Sequence, residues 1–143
     1  MPRRAGQLHV RLLMARHTFL AVALACWLST SFAQAVLHTE QEADARVIEN
    51  LKVAGSNLSK PHPTDYYLYF GVEKNARSAA TEMVRQGFVI KAIRPSTKNQ
   101  WLVLASKPTV PSLAVISEIA RELHALAQRN SGEYDGWEAE VTK

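Results

Sequence analysis

The stretch Gly132–Val141, "GEYDGWEAEV", lies at the end of the chain and carries two large aromatic rings. From Trp137 onward, apolar residues alternate with glutamates. Successive side chains of a strand point to opposite faces of the sheet. The stretch therefore predicts a short last strand, with Trp137 on the buried side and Tyr134 on the opposite face.

Working towards the N-terminus, the sequence predicts three further strands and two helices. The strands are rich in aromatic and β-branched residues, whereas the helices have apolar residues at every third or fourth position. The predicted elements are a strand at 65–72, a helix at 75–86, strands at 88–94 and 100–106 around the turn-rich "PSTKN", and a helix at 112–129. Gly87 separates a helix from a strand, which predicts a positive φ there.

These elements follow one another in the order β-α-β-β-α-β. Two crossovers of the usual hand then place both helices on one face of a four-stranded antiparallel sheet. The predicted fold is therefore an α+β, ferredoxin-like sandwich. An extra N-terminal helix is predicted at 39–54, where Ala43, Val47 and Leu51 mark one apolar side.

The other face of this sheet is predicted to be open and aromatic. Strand alternation assigns Tyr67 and Tyr69 of the first strand to it, with Trp101 of the third and Tyr134 of the fourth. An exposed aromatic patch of this kind marks a binding surface. The alternative is that helix 39–54 folds back over the patch and buries its own apolar side there.

Asp135 lies between the two aromatic residues of the last strand. It is interpreted first as a structural residue, because aspartate at a turn accepts hydrogen bonds from backbone N–H groups. The alternative is that its carboxylate anchors a basic group of a partner. Gly87, Gly136 and Trp137 are the other predicted structural residues.

The sequence gives no catalytic, metal or cofactor site. Its histidines beyond the N-terminal segment are His38, His62 and His124, and none has a second histidine or a cysteine at metal-site spacing. His124, on the long helix, is predicted to be a surface residue. Nucleophile elbows, glycine-rich phosphate loops and zinc-protease motifs are absent from the sequence. A non-enzymatic protein is therefore predicted.

Residues 1–35 are typical of a secretory signal peptide. A basic start precedes the ten-residue apolar run "FLAVALACWL" at 19–28, and Ala33 and Ala35 then supply the small residues that signal peptidase accepts. A membrane-spanning helix needs roughly 20 apolar residues. We therefore expect cleavage after Ala35, an exported domain at 36–143, and a translation start at Met1 or Met14.

Other interpretations of this segment are an uncleaved anchor, a buried helix, a lipoprotein signal at Cys26 or a twin-arginine signal. The formal net charge of +4 equals the contribution of four arginines within residues 1–35, so the predicted domain is neutral. Cys26 is the only cysteine, and cleavage would remove it. The domain would then rely on an apolar core without disulfides.

Four stretches resemble the RraB family of ribonuclease E regulators. They are "NLSKPHPTDYYLYFG", "AATEMVRQGFVI", "WLVLASKPTV" and "GEYDGWEAEV", which lie between residues 57 and 141. The resemblance as a whole covers about residues 40–142. The most specific element is Tyr134-Asp135-Gly136-Trp137, and His62 stands where the family pattern has arginine. The resemblance implies a ferredoxin-like fold and a small non-enzymatic protein that binds ribonuclease E and alters its cleavage.

Three functions follow from these observations. The first is an exported, non-enzymatic protein-binding module of the RraB type that regulates or inhibits a protein partner. The second is a cytoplasmic regulator of ribonuclease E, which requires the signal peptide to be unused. The third is a single-stranded nucleic-acid binder with Tyr69 and Trp101 on the open sheet, although the neutral domain lacks the usual basic footprint.

Overall fold

A computed structural model describes residues 40–97 and 99–143 of the chain. These residues form three helices and four strands in the predicted order. The elements are α1 (40–53), β1 (Thr64–Phe70), α2 (Glu73–Arg85), β2 (Val89–Pro95), β3 (Trp101–Ser106), α3 (Leu113–Arg129) and β4 (Gly132–Ala139). The predicted signal peptide, with its cleavage residues Ala33 and Ala35, lies outside the described residues. No helix in the described ranges is long and apolar enough to cross a membrane.

The four strands form one sheet in the order β2-β3-β1-β4, and every neighbouring pair is antiparallel. This is the order that two crossovers through α2 and α3 produce when both helices pack on the same face. The predicted α+β, ferredoxin-like fold, with an extra helix in front, is confirmed.

The helix ends follow the signals in the sequence. Ser112 caps α3, because its side-chain oxygen accepts a hydrogen bond from the backbone N–H of Val115. At the end of α2, Gly87 has φ +86°, and the N–H of Phe88 donates to the carbonyl of Met83 at 3.1 Å. The predicted positive φ at Gly87 is therefore confirmed, and it lets the chain turn directly into β2.

The core lies between the sheet and the helices α2 and α3. Strand β1 contributes alternate side chains to it, and Tyr66, Leu68 and Phe70 are fully buried. The ring of Tyr66 meets the ring of Phe88 edge-on at 5.4 Å, and its hydroxyl lies 2.8 Å from Thr109 Oγ1. A buried tyrosine is thus satisfied at both its apolar ring and its polar end.

The loop between α1 and β1 is tied to the C-terminal tail. The N–H of Asn57 donates to the carbonyl of Thr142 at 2.7 Å. His62 is fully buried in this loop, where its ring nitrogens lie 2.8 Å from the Lys60 carbonyl and 3.1 Å from Ser56 Oγ. Both ring nitrogens therefore have loop partners, which gives His62 a structural role.

Helix α1 lies on the same side of the sheet as α3, next to β4. The indole N–H of Trp137 donates to Asp44 Oδ1 at 2.7 Å, and His124 Nε2 of α3 lies 3.3 Å from Glu40 Oε1. The alternative that this helix covers the open face is therefore wrong. The loop tied to the tail after β4 holds α1 at this edge of the sheet.

Candidate protein-interaction face

The sheet face opposite the helices, here called the open face, has two tyrosines at its centre. On β1, Tyr67 and Tyr69 alternate with the buried core residues and are half-buried. In the ladder to β3 they pair with Leu104 and Leu102. Directly paired residues of neighbouring strands share a face. The open face therefore has a centre of two aromatic and two aliphatic side chains.

The predicted orientation of β3 is wrong. Phe70 pairs with Trp101 and Leu68 pairs with Val103, so Trp101 and Val103 lie on the helix side, where Trp101 packs against the core. Every residue from Trp101 to Ala105 is apolar, so alternation of polarity could not show which side is buried. The register with β1 decides it, and it excludes Trp101 from the open face.

The predicted orientation of Tyr134 is also wrong, because β4 contains a bulge. Gly136 is opposite Tyr67 and Tyr134 is opposite Leu68, so Asp135 is an extra residue with no partner of its own on β1. Gly136 has φ +120°, a conformation that disfavours any side chain. An extra residue shifts the alternation by one position. As a result Tyr134 and Trp137 both point towards the helices.

Tyr134 closes a small aromatic and acidic cluster between β4, α3 and α1. Its ring meets the ring of His124 edge-on at 5.0 Å. Its hydroxyl is buried and makes no hydrogen bond with any described residue, and burial raises the pKa of Tyr134 well above its usual value. His124 is half-buried against Tyr134, with its side chain 32% exposed, so it is less exposed than the surface position predicted for it.

Hydrogen bonds and an ion pair order the β1 side of the open face. The Tyr67 hydroxyl donates to Glu138 Oε1 at 2.5 Å, and this bond raises the pKa of Tyr67 to about 12. Lys91 Nζ of β2 reaches Asp65 Oδ2 of β1 at 2.6 Å, and the hydrogen bond raises the pKa of Lys91. These contacts fix acidic side chains beside the central tyrosine.

A narrow cleft opens at the other end of this face. It is lined by Tyr69, Ser96, Thr97, Gln100, Glu133 and Asp135. Gln100 Nε2 donates to Glu133 Oε1 at 3.2 Å. The exposed Asp135 carboxylate makes no hydrogen bond or ion pair within residues 40–97 and 99–143, so the structural turn that the sequence favoured for it is not seen. A phenol ring beside two carboxylates is suited to a basic side chain.

The two sides of the open face carry opposite charges. Its β1 and β4 side has the carboxylates Asp65, Glu133, Asp135 and Glu138, whereas the β2 side has the bases Lys91 and Arg94. Between them Leu102 is only 4% exposed, because it lies between its paired neighbours Tyr69 and Arg94.

In the described parts of the chain, no group of three or more histidine, cysteine, aspartate or glutamate residues could hold a metal ion.

Of the residues proposed from the sequence, the structure brings Tyr67, Tyr69 and Asp135 together on one face and removes Trp101 and Tyr134 from it. Sequence reasoning missed Glu133 and Gln100. Glu133 could have been found from its position beside Tyr134, since both neighbours of that residue are acidic. Gln100 could not have been found in this way, because the turn between β2 and β3 comes close to β4 only in the folded protein.

A model of the RraB family, described as regulator of ribonuclease activity B, matches residues 41–139. No curated protein matches the chain. The matched residues include every strand of the sheet and all of α2 and α3. The chain therefore belongs to the RraB family, which is a family of regulators rather than of enzymes.

Proposed function

We propose, from this family membership and the geometry of the open face, that the chain is an exported, non-enzymatic regulator that binds a protein partner. Tyr67 and Tyr69 form the centre of the contact. A lysine or arginine of the partner occupies the cleft beside Tyr69, between Glu133 and Asp135. This arrangement gives Asp135 the partner-binding role that was the second interpretation of the sequence.

The cleft is the observation that carries this proposal. Tyrosine and arginine are enriched at the centres of protein interfaces, where few residues contribute most of the binding free energy. The open face supplies two half-buried tyrosines and Arg94 within one continuous surface. Charged groups around such a centre select the partner and steer its approach. The carboxylates therefore favour a partner with a basic contact surface.

The same carboxylates argue against the nucleic-acid function. A sheet that binds single-stranded RNA stacks bases on aromatic residues of its first and third strands and attracts phosphates with basic groups. Here the β3 aromatic residue, Trp101, lies under the helices, and Tyr69 lies beside Glu133 and Asp135. Of the two aromatic residues that this RNA-binding mode needs, only Tyr69 remains on the open face. The neighbouring carboxylates would repel phosphates from it.

Export is supported by the basic start, the short apolar run and the Ala33 and Ala35 pair of the N-terminal segment. The expected mature protein begins at Val36 outside the cytoplasm. Cell fractionation followed by intact-mass measurement tests this. Full-length protein in the soluble cytoplasmic fraction would instead favour the second function, the regulation of ribonuclease E in the cytoplasm.

The binding surface is tested by placing a photo-crosslinking amino acid at position 69 in intact cells. A matched control carries it at position 122, an exposed position on α3. The captured partner is then purified, and ribonuclease E is measured beside it. We expect crosslinking from position 69 only, and about a tenfold loss of affinity, ~1.4 kcal/mol, for the double variant Glu133→Gln and Asp135→Asn. Unchanged affinity of a folded double variant would contradict the proposal.

A further inference from the structure

A second surface, here called the α2–β2 groove, lies on the helix side of the sheet. It has a volume of about 330 Å³ and is lined by Arg77, Ala80, Thr81, Val84, Ile90 and Ile93. The four α2 residues recur at helical spacing and form one stripe along the helix. Val84 is 56% exposed and Ala80 is 5% exposed, so the groove presents an apolar side chain to solvent.

A bulge in β2 completes the groove. Ile90 pairs with Ala105 and Ile93 pairs with Val103, while Lys91 is the extra residue of the strand. Ala105 and Val103 are buried on the helix side, so both isoleucines face α2 although they are three positions apart. The shifted alternation thus gives the edge of the sheet a second apolar residue beneath the helix.

The surroundings of the groove are basic. Arg77 lies in its lining, and Lys74 and Arg85 are exposed on the same helix. Glu73 is paired with Arg77 at 2.6 Å, and Glu82 is directed towards α3, where it contacts Arg129. The charge that remains around the groove is therefore positive, opposite in sign to the β4 edge.

The edge strand itself is poorly suited to accept another strand. A bulge with a lysine interrupts regular pairing at Lys91, and Pro95 has no N–H to donate. These features leave no more than three consecutive residues of β2, Ala92–Arg94, in regular geometry. A helix needs no backbone hydrogen bonds from its receptor and packs its apolar stripe into a groove of this kind.

We propose that the α2–β2 groove binds an acidic amphipathic helix of a partner protein. Apolar side chains of that helix, one turn apart, contact Val84, Ile90 and Ile93. Its glutamates or aspartates lie towards Lys74 and Arg85, which are exposed on α2 beside the groove.

The probe is a fluorescent, end-capped peptide of Leu, Ala and Glu, with Leu at helical spacing along one side and Glu on the flanks. Two further peptides serve as comparisons, one with Lys in place of Glu and one with the same composition but strictly alternating Leu. We expect the helical acidic peptide to bind the folded protein with a Kd of about 10–100 μM in an anisotropy titration. The basic peptide should bind at least tenfold more weakly at low salt.

Two matched variants locate the site. Val84→Glu places a carboxylate in the groove, whereas Val53→Glu makes the same change at a valine that is 80% exposed on α1. We expect Val84→Glu to weaken peptide binding at least tenfold and Val53→Glu to leave it unchanged, with both proteins retaining native circular dichroism.

Three results would overturn the proposal: no saturable binding of the helical acidic peptide, equal loss in both variants, or tighter binding of the alternating peptide. The last of these would indicate strand addition. Because the groove and the open face are on opposite sides of the sheet, failure here is distinguishable from failure of the proposed cleft at Tyr69.

Discussion

Replacing Tyr134 with phenylalanine should make the domain more stable. The hydroxyl is buried between α1, α3 and β4 and makes no hydrogen bond with the described residues. A buried hydroxyl without a partner costs about 1–3 kcal/mol relative to its state in water. Phenylalanine removes that cost and keeps the ring against His124. We therefore expect the free energy of unfolding to increase by about 1 kcal/mol.

The matched control is Tyr66→Phe in the same sheet. The Tyr66 hydroxyl is also buried, but it is bonded to Thr109 Oγ1 at 2.8 Å. The Thr109 hydroxyl in turn lies 2.9 Å from the Lys107 carbonyl, to which it donates. Removing the Tyr66 hydroxyl leaves Thr109 Oγ1 buried with an unused acceptor, which should lower the free energy of unfolding by about 1 kcal/mol.

Urea denaturation of the two variants and the native domain measures this difference directly. The variants should separate by about 2 kcal/mol in unfolding free energy, or on the order of 10 °C in melting temperature for a domain of this size, with unchanged m-values. A loss of 1 kcal/mol or more in Tyr134→Phe would refute the reasoning, because it would show that the hydroxyl has a stabilising partner in solution.

Two further substitutions test the packing of β4. Gly132→Ala should destabilise the domain by about 1–3 kcal/mol, because the added Cβ would overlap the buried ring of Phe70. Gly71→Ala adds a Cβ in open space and should change the stability little. Equal melting temperatures of the two variants would contradict this expectation. Burial raises the pKa of Asp44, so the contribution of Asp44 to stability falls as pH increases from the ordinary carboxyl pKa to the raised pKa. Asp44→Asn keeps an acceptor for the Trp137 indole and should remove this decline in thermal melts from acidic to neutral pH. The same pH profile in the variant and the native domain would contradict this expectation.

The sequence predicted the fold well because its signals at the element ends are local. Gly87 ends a helix through its own backbone conformation, and Ser112 begins one through its own side chain. On β1, buried and half-buried residues alternate along the whole strand, so the positions of Tyr67 and Tyr69 followed from the pattern. Predictions of this kind need no knowledge of distant contacts.

The candidate site was harder to predict because its residues are oriented by pairing between strands. The apolar run on β3 has no alternation from which to derive the side that Trp101 faces, and one extra residue on β4 reverses the side of Tyr134. The partner of His124 lies on another element and becomes visible only when the chain is folded. The position of α1 likewise depends on contacts with Trp137.

The two bulges also limit pairing between the oppositely charged edges of the sheet in two molecules. Lys91 and Arg94 on β2 would attract Glu133 and Glu138 on β4 of a second copy, and two exposed edges are a route to continuous sheets. The extra residue on each edge strand interrupts the ladder that such pairing requires. The carboxylates of the β4 edge are therefore left for a basic partner. We expect deletion of Asp135 to increase self-association measured by sedimentation, and unchanged sedimentation of the deletion variant would contradict this role of the bulges.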